Sequence, residues 1–293
     1  LTRTAGSGPL RAAIGAASAR LTAAGVATAR FDAEELAAHV LGVARSDLVR
    51  HDRIDLEHYE ALIERRAARH PLQHLTGVAH FRRLSLAVGP GVFVPRPETE
   101  VMVGQVIEFL RSLGPAPRVV DLGTGSGVIA LSLATEVPGS EVHAVEVDPR
   151  AHAWAARNLA GSGVQLHLAD AAGALPELDG AVDAVVSNPP YIPHDAWESV
   201  AAEVRDHDPD LALWGGGPDG LDTIRLVEAR AAALLRPGGL VAVEHADLQG
   251  SSAPAIFRAT GRWRAVHDHR DLSGRDRFLT GLRRRRTTGT GAD

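Results

Sequence analysis

The sequence predicts an α/β protein, a parallel sheet covered by helices on both faces, with a small helical domain and a β-hairpin ahead of it. Three observations predict this. From residue 95 onward, short Val- and Ala-rich runs alternate with amphipathic stretches, as strands buried on both faces alternate with the helices that cover them. Residues 10–70 are rich in Ala, Leu, Arg and Glu and contain no proline, which suits helices. Between these regions, apolar residues recur at every second position around a Gly-Pro-Gly, which reads as a hairpin. A chain of 293 residues is long enough for one large domain or two smaller ones with real cores.

Taken in order, "ARFDAEELAAHVLGVA" places Phe31, Leu36, Val40 and Leu41 at roughly helical spacing, with Asp32 as N-cap and Glu35 completing a capping box. A second helix is expected in "DLEHYEALIERRAARH", with Leu56, Tyr59, Leu62 and Ile63 on one face, and Pro71 ends the helical run. The hairpin is expected over "HFRRLSLAVGPGVFV", with its turn at Gly89-Pro90-Gly91. A helix over 99–113 follows, then the strand "RVVDLG", the helix "VIALSLATEV", the strand "EVHAVEVD", the helix "PRAHAWAARNLAGSG", and the strands "VQLHLAD" and "VDAVVSN". A helix over 219–235, the strand "GGLVAVEHA" and two final strands, "WRAVHDH" and "DRFLTGL", complete the pattern. The expected division is residues 1–75 helical, 76–94 hairpin linker, 95–282 main domain and 283–293 disordered tail.

Composition narrows the function classes. The formal net charge of -5 disfavours a protein that grips duplex nucleic acid through its phosphates, so no DNA partner is expected. The absence of cysteine excludes disulfides, thiolate metal sites and a cysteine nucleophile, and it fits a reducing cytoplasm. No apolar run of about 18 residues exists, so no membrane partner is expected. A monomer is the simplest state. His70, His74 and His80, and the "HDH" of His267–His269, lack a third ligand at metal-binding spacing, and no metal is expected. Arg283–Arg286 reads as a solvated tail, with RNA contact as the alternative.

The chemistry is concentrated in two stretches. "VVDLGTGSGVIALSLA" is a strand, a glycine-rich turn and a helix; Gly123, Gly125 and Gly127, with Thr124 and Ser126 between them, let the backbone turn sharply and approach a ligand. The alternative is a turn that only packs the helix on the sheet. Asp121 at the strand end would repel a pyrophosphate but suits an ammonium group, which favours S-adenosylmethionine over a dinucleotide. Glu146, about one strand and helix further on, is placed to accept ribose hydroxyls, the alternative being a solvated acid; Asp148 reads as the N-cap before Pro149. Asp170, beside Ala171, is placed for an adenine amino group or is simply a strand-end acid.

The second stretch is "VVSNPPYIP". Two prolines cannot extend a ladder, so Asn188-Pro189-Pro190-Tyr191 forms a rigid loop at a strand's carboxyl end, where open α/β sheets hold ligands. The Asn188 side-chain carbonyl and the Pro189 backbone carbonyl are two acceptors matched to the two hydrogens of a planar NH2 group, and Tyr191 offers a flat face for stacking. Such a site presents an amide or aromatic amine nitrogen to a methyl donor, with the acceptors stabilising charge as the N–H bonds polarise.

With "FVPRPETE" (Phe93–Glu100), "DLGTGSG", "SNPPYI", "GGGPDGLD" (Gly215–Asp222) and "LLRPGGLVAVEH" (Leu234–His245) in this order, and "RHPLQHLTGVAHF" as linker, the chain resembles the protein-(glutamine-N5) methyltransferases over residues 30–282, and among them those specific for peptide chain release factors. The resemblance implies a class I, Rossmann-like, S-adenosylmethionine-dependent methyltransferase domain, and a helical domain that docks the release factor. The methyl group would go to the glutamine of the factor's Gly-Gly-Gln loop. Gly123–Gly127 and Glu146 would then hold the cofactor, and Asn188–Tyr191 the glutamine. Glu146 stands where the family more often has Asp, Ala171 where a large side chain is common, and "EHADLQ" lacks the usual glycine after the histidine. Alternatives with the same chemistry are a ribosomal-protein glutamine, for which a different pattern after "PR" is expected, and a flipped-out nucleobase amine. A binding protein that has lost catalysis would not need the full motif set.

Overall fold

A computed structural model describes residues 6–285 of the chain. They fall into two compact units. The first comprises residues 6–78, 88–90 and 200–207. It holds α1 (Leu10–Ala23), α2 (Ala29–Leu41), α3 (Leu56–Ala67) and α4 (Leu72–Thr76), with a two-stranded antiparallel sheet of β1 (Ser7–Pro9) and β2 (Arg53–Asp55). The helices bury one core that includes Leu21, Leu36, Tyr59 and Ile63. Asp55 caps α3, accepting from the backbone N–H groups of Glu57 and His58.

Asp32 is not an N-cap. The helix α2 begins three residues earlier, after Thr28, and Asp32 is buried inside it, accepting from Arg66 Nε at 2.6 Å. Phe31, expected on the apolar face, is 44% exposed beneath the Arg45 guanidinium. Asp32 lies on the inward face of α2 with Ala29, Ala33 and Leu36, and its partner there is 34 residues away in sequence. The segment 200–207, expected within the main domain, belongs to this helical unit. Glu203 of its short helix α8 (Ala202–Arg205) accepts from Arg66 at 3.2 Å and from Arg69 at 2.6 Å.

The second unit comprises residues 79–87, 91–199 and 208–285. The hairpin is formed by β3 (Val78–Phe81) and β4 (Leu84–Ala87), so its turn lies at Arg82-Arg83 rather than at Gly89-Pro90-Gly91. Arg82 adopts φ 51°, a conformation unusual for a residue with a Cβ. Its contacts hold it there: its N–H donates to Glu100 Oε1, and its guanidinium donates to both Glu136 carboxylate oxygens and to the Glu100 carbonyl.

After α5 (Thr99–Arg111) come β5 (Arg118–Leu122), α6 (Val128–Glu136), β6 (Glu141–Glu146), α7 (Pro149–Asn158), β7 (Gln165–Leu168) and β8 (Val182–Ser187). The short α9 (Asp210–Leu213), then α10 (Asp222–Leu234), β9 (Leu235–Glu244), α11 (Ser252–Ala259), β10 (Trp263–Arg270) and β11 (Asp276–Arg283) complete the unit. The seven-stranded sheet has the order β7-β6-β5-β8-β9-β11-β10; β5 to β9 are parallel, and β11 runs antiparallel between β9 and β10. Met102, Val106, Ile107 and Leu110 of α5 join α6 and α7 over one face, and α10 and α11 bury Ile224, Val227 and Phe257 on the other. Each such side chain contributes about 1.5–3 kcal/mol on burial.

Because β6 and β7 lie on one side of β5 and β8 on the other, the strand order reverses between β5 and β8. The connections after these two strands therefore leave in opposite directions and open a crevice at their carboxyl ends. The final strand runs on through Arg283, so the expected tail does not begin there. Arg283 Nε donates to the Ala232 carbonyl, and Arg284 donates to the carbonyls of Arg262 and Trp263. Arg286 and the rest of the expected tail lie outside the described residues.

Candidate active site

Both motifs leave the sheet at the crevice. Gly123–Gly127 follows β5, and Asn188–Tyr191 follows the neighbouring β8, whose Val186 is paired with Asp121. Asn188 thus lies two residues, roughly 7 Å of strand, beyond the level of Asp121. The Ser187 hydroxyl donates to the Leu122 carbonyl at 2.7 Å and ties the two strand ends together.

In the glycine turn, Gly123, Gly125 and Gly127 have φ of 74°, 57° and 84°, which a Cβ disfavours. They differ in their surroundings. A Cβ at Gly127 would press on Leu159, so this glycine also lets the helix approach, whereas a Cβ at Gly123 or Gly125 would meet no atom within 4 Å. The loop is pinned by its backbone: Gly123 and Thr124 N–H both donate to the Val145 carbonyl at 2.9 Å, and Asn158 Nδ2 donates to the Ser126 carbonyl.

Two acids shape this turn from beneath. Asp121 is fully buried; its Oδ2 accepts from the Thr124 hydroxyl at 2.6 Å and from Ala130 N–H at 3.2 Å, while its Oδ1 has no partner among the described residues. Burial pushes its pKa up to about 7, against those two hydrogen bonds, with the charge of Glu146 adding to the rise. A buried carboxylate oxygen without a donor fits a cationic ligand group. Glu146 Oε2 accepts from Gly125 N–H at 2.8 Å, and its Oε1 accepts from Val147 and Asp148 N–H, each at 2.9 Å. Asp148 caps α7 by accepting from Arg150 N–H. Asp170 stands two residues past the end of β7 and is exposed; its Oδ1 accepts from Ala172 N–H, and Ala171 packs half-buried against the core.

Around the second loop lies a hydrogen-bonded chain that the motif residues alone do not announce. Asn188 Nδ2 donates to Thr99 Oγ1 at 3.2 Å, the Thr99 hydroxyl donates to Glu244 Oε2 at 2.6 Å, and the Tyr191 hydroxyl donates to Glu244 Oε1 at 3.4 Å. Thr99 is the first residue of α5, and Glu244 is the last of β9, whose Val243 pairs with Ser187. Three element ends therefore converge on Asn188. Glu244 is buried, and that burial pushes its pKa up to about 7, opposed by the Thr99 hydroxyl and Arg277. Burial and the Glu244 charge likewise raise the pKa of Tyr191.

The loop backbone is fixed from behind. Ile192 N–H donates to the Leu213 carbonyl, and Gly215 N–H donates to the Ile192 carbonyl. Gln249 Nε2 donates to the carbonyls of Tyr191 and Asp219. A Cβ at Gly215 would run into the Gly220 carbonyl and the Tyr191 Cα, and one at Gly220 into the Tyr191 carbonyl. Thr99, Glu244, Gly215 and Gly220 all lie in stretches that carry the family resemblance, so the signal for them was present without a role attached. Among the described residues, no cluster of His, Asp or Glu is arranged to hold a metal ion, and no helix is long and apolar enough to cross a membrane.

A glycine turn and an Asn-Pro-Pro-Tyr loop at the switch point of a mostly parallel seven-stranded sheet define a methyltransferase domain. Residues 90–205 match the methyltransferase small domain, and residues 12–77 match the PrmC N-terminal domain. A release factor glutamine methyltransferase of Streptomyces coelicolor is 55% identical over 273 residues, 92% of this chain and 97% of that protein. The chain belongs to the release factor glutamine methyltransferase family. A 4-amino-L-phenylalanine/4-methylamino-L-phenylalanine methyltransferase of Streptomyces pristinaespiralis is 43% identical over 273 residues, 89% of this chain and 91% of that protein. The crystal structure of a release factor-specific protein-(glutamine-N5) methyltransferase from Alicyclobacillus acidocaldarius aligns at 31% identity and a TM-score of 0.43, covering 68% of this chain and 99% of that one.

Proposed function

We propose that the protein transfers a methyl group from S-adenosylmethionine to the side-chain nitrogen of the glutamine in the Gly-Gly-Gln loop of peptide chain release factors. The observation that carries this reading is the held Asn188 carboxamide. Its N–H side is committed to Thr99, which leaves its carbonyl to accept from a planar NH2 group. The glycine turn, the unpartnered Asp121 Oδ1 and Glu146 support the cofactor. Asp121 would meet its ammonium group and Glu146 its ribose. When bound, the cofactor supplies an electrophilic methyl group.

An amide nitrogen is a weak nucleophile, so the protein's contribution is alignment and charge stabilisation. The Asn188 and Pro189 carbonyls hold the N–H bonds as they polarise, and Tyr191 flanks the plane of the amide. The rigid prolines keep these groups in place without further ordering cost. The relative named for an aromatic amine substrate fits a loop built to receive NH2 groups of more than one kind. The 55% relative, matched over nearly its whole length, favours the release factor.

Mass spectrometry of a purified release factor after incubation with the protein and S-adenosylmethionine tests the proposal. One methyl group on the Gly-Gly-Gln glutamine is expected. An unmodified glutamine, with the cofactor bound, would move the substrate to ribosomal proteins or to small amines such as 4-aminophenylalanine.

A further inference from the structure

We infer that Thr99 and Glu244 are positioning residues that set the orientation of the Asn188 carboxamide, and that Glu244 must be ionised for that orientation to hold. The inference rests on the proposed role of Asn188 as acceptor for the substrate NH2 group.

A side-chain amide can sit either way round in the same space, and only its neighbours decide which end is the carbonyl. Here the decision is made two hydrogen bonds away. An ionised Glu244 can only accept, so at 2.6 Å the Thr99 hydroxyl must commit its single proton to Oε2. Thr99 Oγ1 is then left with lone pairs alone toward Asn188. It therefore selects Nδ2–H over Oδ1, and the carbonyl is turned the other way.

The second oxygen of Glu244 is occupied in the same sense by the Tyr191 hydroxyl. One carboxylate thus fixes the proton directions of two groups flanking the acceptor site. A protonated Glu244 can donate to Thr99, which frees the threonine proton to meet the Asn188 carbonyl and turn the amide round.

The charges facing this carboxyl come from every element around it. Glu98 lies beside Thr99 at the start of α5 and disfavours its ionisation, Arg277 on β11 favours it, and Tyr191 donates from the loop. Arg277 is itself paired with Asp271 at 3.1 Å, and Arg96, which acts on Tyr191, is paired with Asp208 at 2.6 Å. The neighbouring His245 is directed to Asp268 and the Ala246 carbonyl rather than to Glu244.

The test compares Thr99→Val, Thr99→Ser and Glu244→Gln in the full chain with a release factor as substrate, measuring kcat, KM and cofactor affinity. Thr99→Val is expected to lower kcat by about 10- to 100-fold, the scale of a misdirected catalytic group, with cofactor affinity changed less than about threefold. Thr99→Ser, which keeps the hydroxyl, should stay within about threefold of the parent. The parent kcat should rise as pH passes through about 7, and Glu244→Gln should flatten that rise. An unchanged kcat in Thr99→Val, or an equal loss of cofactor affinity, overturns the inference.

If the parent itself leaves the release factor unmethylated, the proposed substrate fails instead. The inference is then read from the 15N resonance of the Asn188 side-chain amide in the protein alone. That resonance should titrate with Glu244 in the parent and lose the titration in Thr99→Val. A pH-independent resonance in the parent overturns it.

Discussion

Replacing Asp121 by asparagine separates the demands of folding from those of binding. In the folded protein this carboxyl is fully buried and its pKa is raised from 3.8 to about 7. A raised carboxyl pKa means that the folded state holds the proton more tightly than the unfolded chain. The stabilisation is therefore complete below the unfolded pKa and is lost as pH rises toward about 7. At about 1.4 kcal/mol for each tenfold change in proton affinity, the full loss is about 4 kcal/mol, of which about 2 to 3 kcal/mol falls between about pH 5 and pH 8.

The carboxamide introduced by Asp121→Asn has no proton to lose. Its carbonyl can still accept from Thr124 and Ala130, but its NH2 group would stand where Oδ1 has no partner, at a cost of about 1–3 kcal/mol. Asp121→Asn should thus gain about 2 to 3 kcal/mol over the parent between about pH 5 and pH 8, whatever its offset at the lower pH. Urea unfolding followed by tryptophan fluorescence measures this in the relevant unit, since Trp154, Trp197, Trp214 and Trp263 all lie there. Calorimetric titration of S-adenosylmethionine at about pH 8 should show affinity reduced by about 10- to 100-fold, the scale of one charge-assisted hydrogen bond. A pH-independent difference in stability would refute the buried charge, and unchanged affinity would refute the ammonium contact.

Asn188→Ala should lower kcat by about 100-fold or more while leaving cofactor affinity within about threefold, and equal losses in both would remove its acceptor role. Glu146→Ala should do the reverse, weakening the cofactor by at least about tenfold, and it should also lower the unfolding midpoint because three backbone N–H groups lose their acceptor. Cofactor titration and thermal unfolding of that variant check both halves. Gly215→Ala should destabilise the sheet unit by about 1–3 kcal/mol and depress kcat, since the methyl group displaces the Tyr191 backbone. A fully active Gly215→Ala enzyme would show that the loop does not need this buttress.

The sheet and its order of elements were legible because β5, β6, β8 and β9 carry Val-rich runs, β7 alternates Gln165 and His167 with Leu166 and Leu168, and α6, α7 and α10 between them each bury apolar side chains. What escaped was tertiary. Asp32 reads as an N-cap because Asp followed three residues later by Glu is the capping-box pattern. Its true partner, Arg66, is remote in sequence, and the pair draws Asp32 inside the helix. Gly-Pro-Gly reads as the hairpin turn because those residues punctuate chains, whereas Arg82 turns without glycine by virtue of Glu100 and Glu136. Within the candidate site, the position of the Asn-Pro-Pro-Tyr loop at the carboxyl end of β8 was legible because two prolines cannot extend a ladder. Thr99 and Glu244 were not, since a threonine opening a helix and a glutamate closing a strand acquire a role only when the sheet order sets β9 beside β8.

The two acids beneath the glycine turn show how the same side chains can build a site and leave room in it. A carboxylate offers about four lone-pair positions. Glu146 gives three of them to Gly125, Val147 and Asp148, so one remains, on the oxygen that already holds the glycine loop. Asp121 commits Oδ2 to the loop and the helix behind it and leaves Oδ1 unengaged. A ribose hydroxyl on Glu146 would therefore add to a single position, and a ribose that engaged both oxygens would have to displace a backbone donor. The residues that would receive the cofactor thus also fix the turn that surrounds it, so the loop is set before the ligand arrives and little ordering is left to oppose binding.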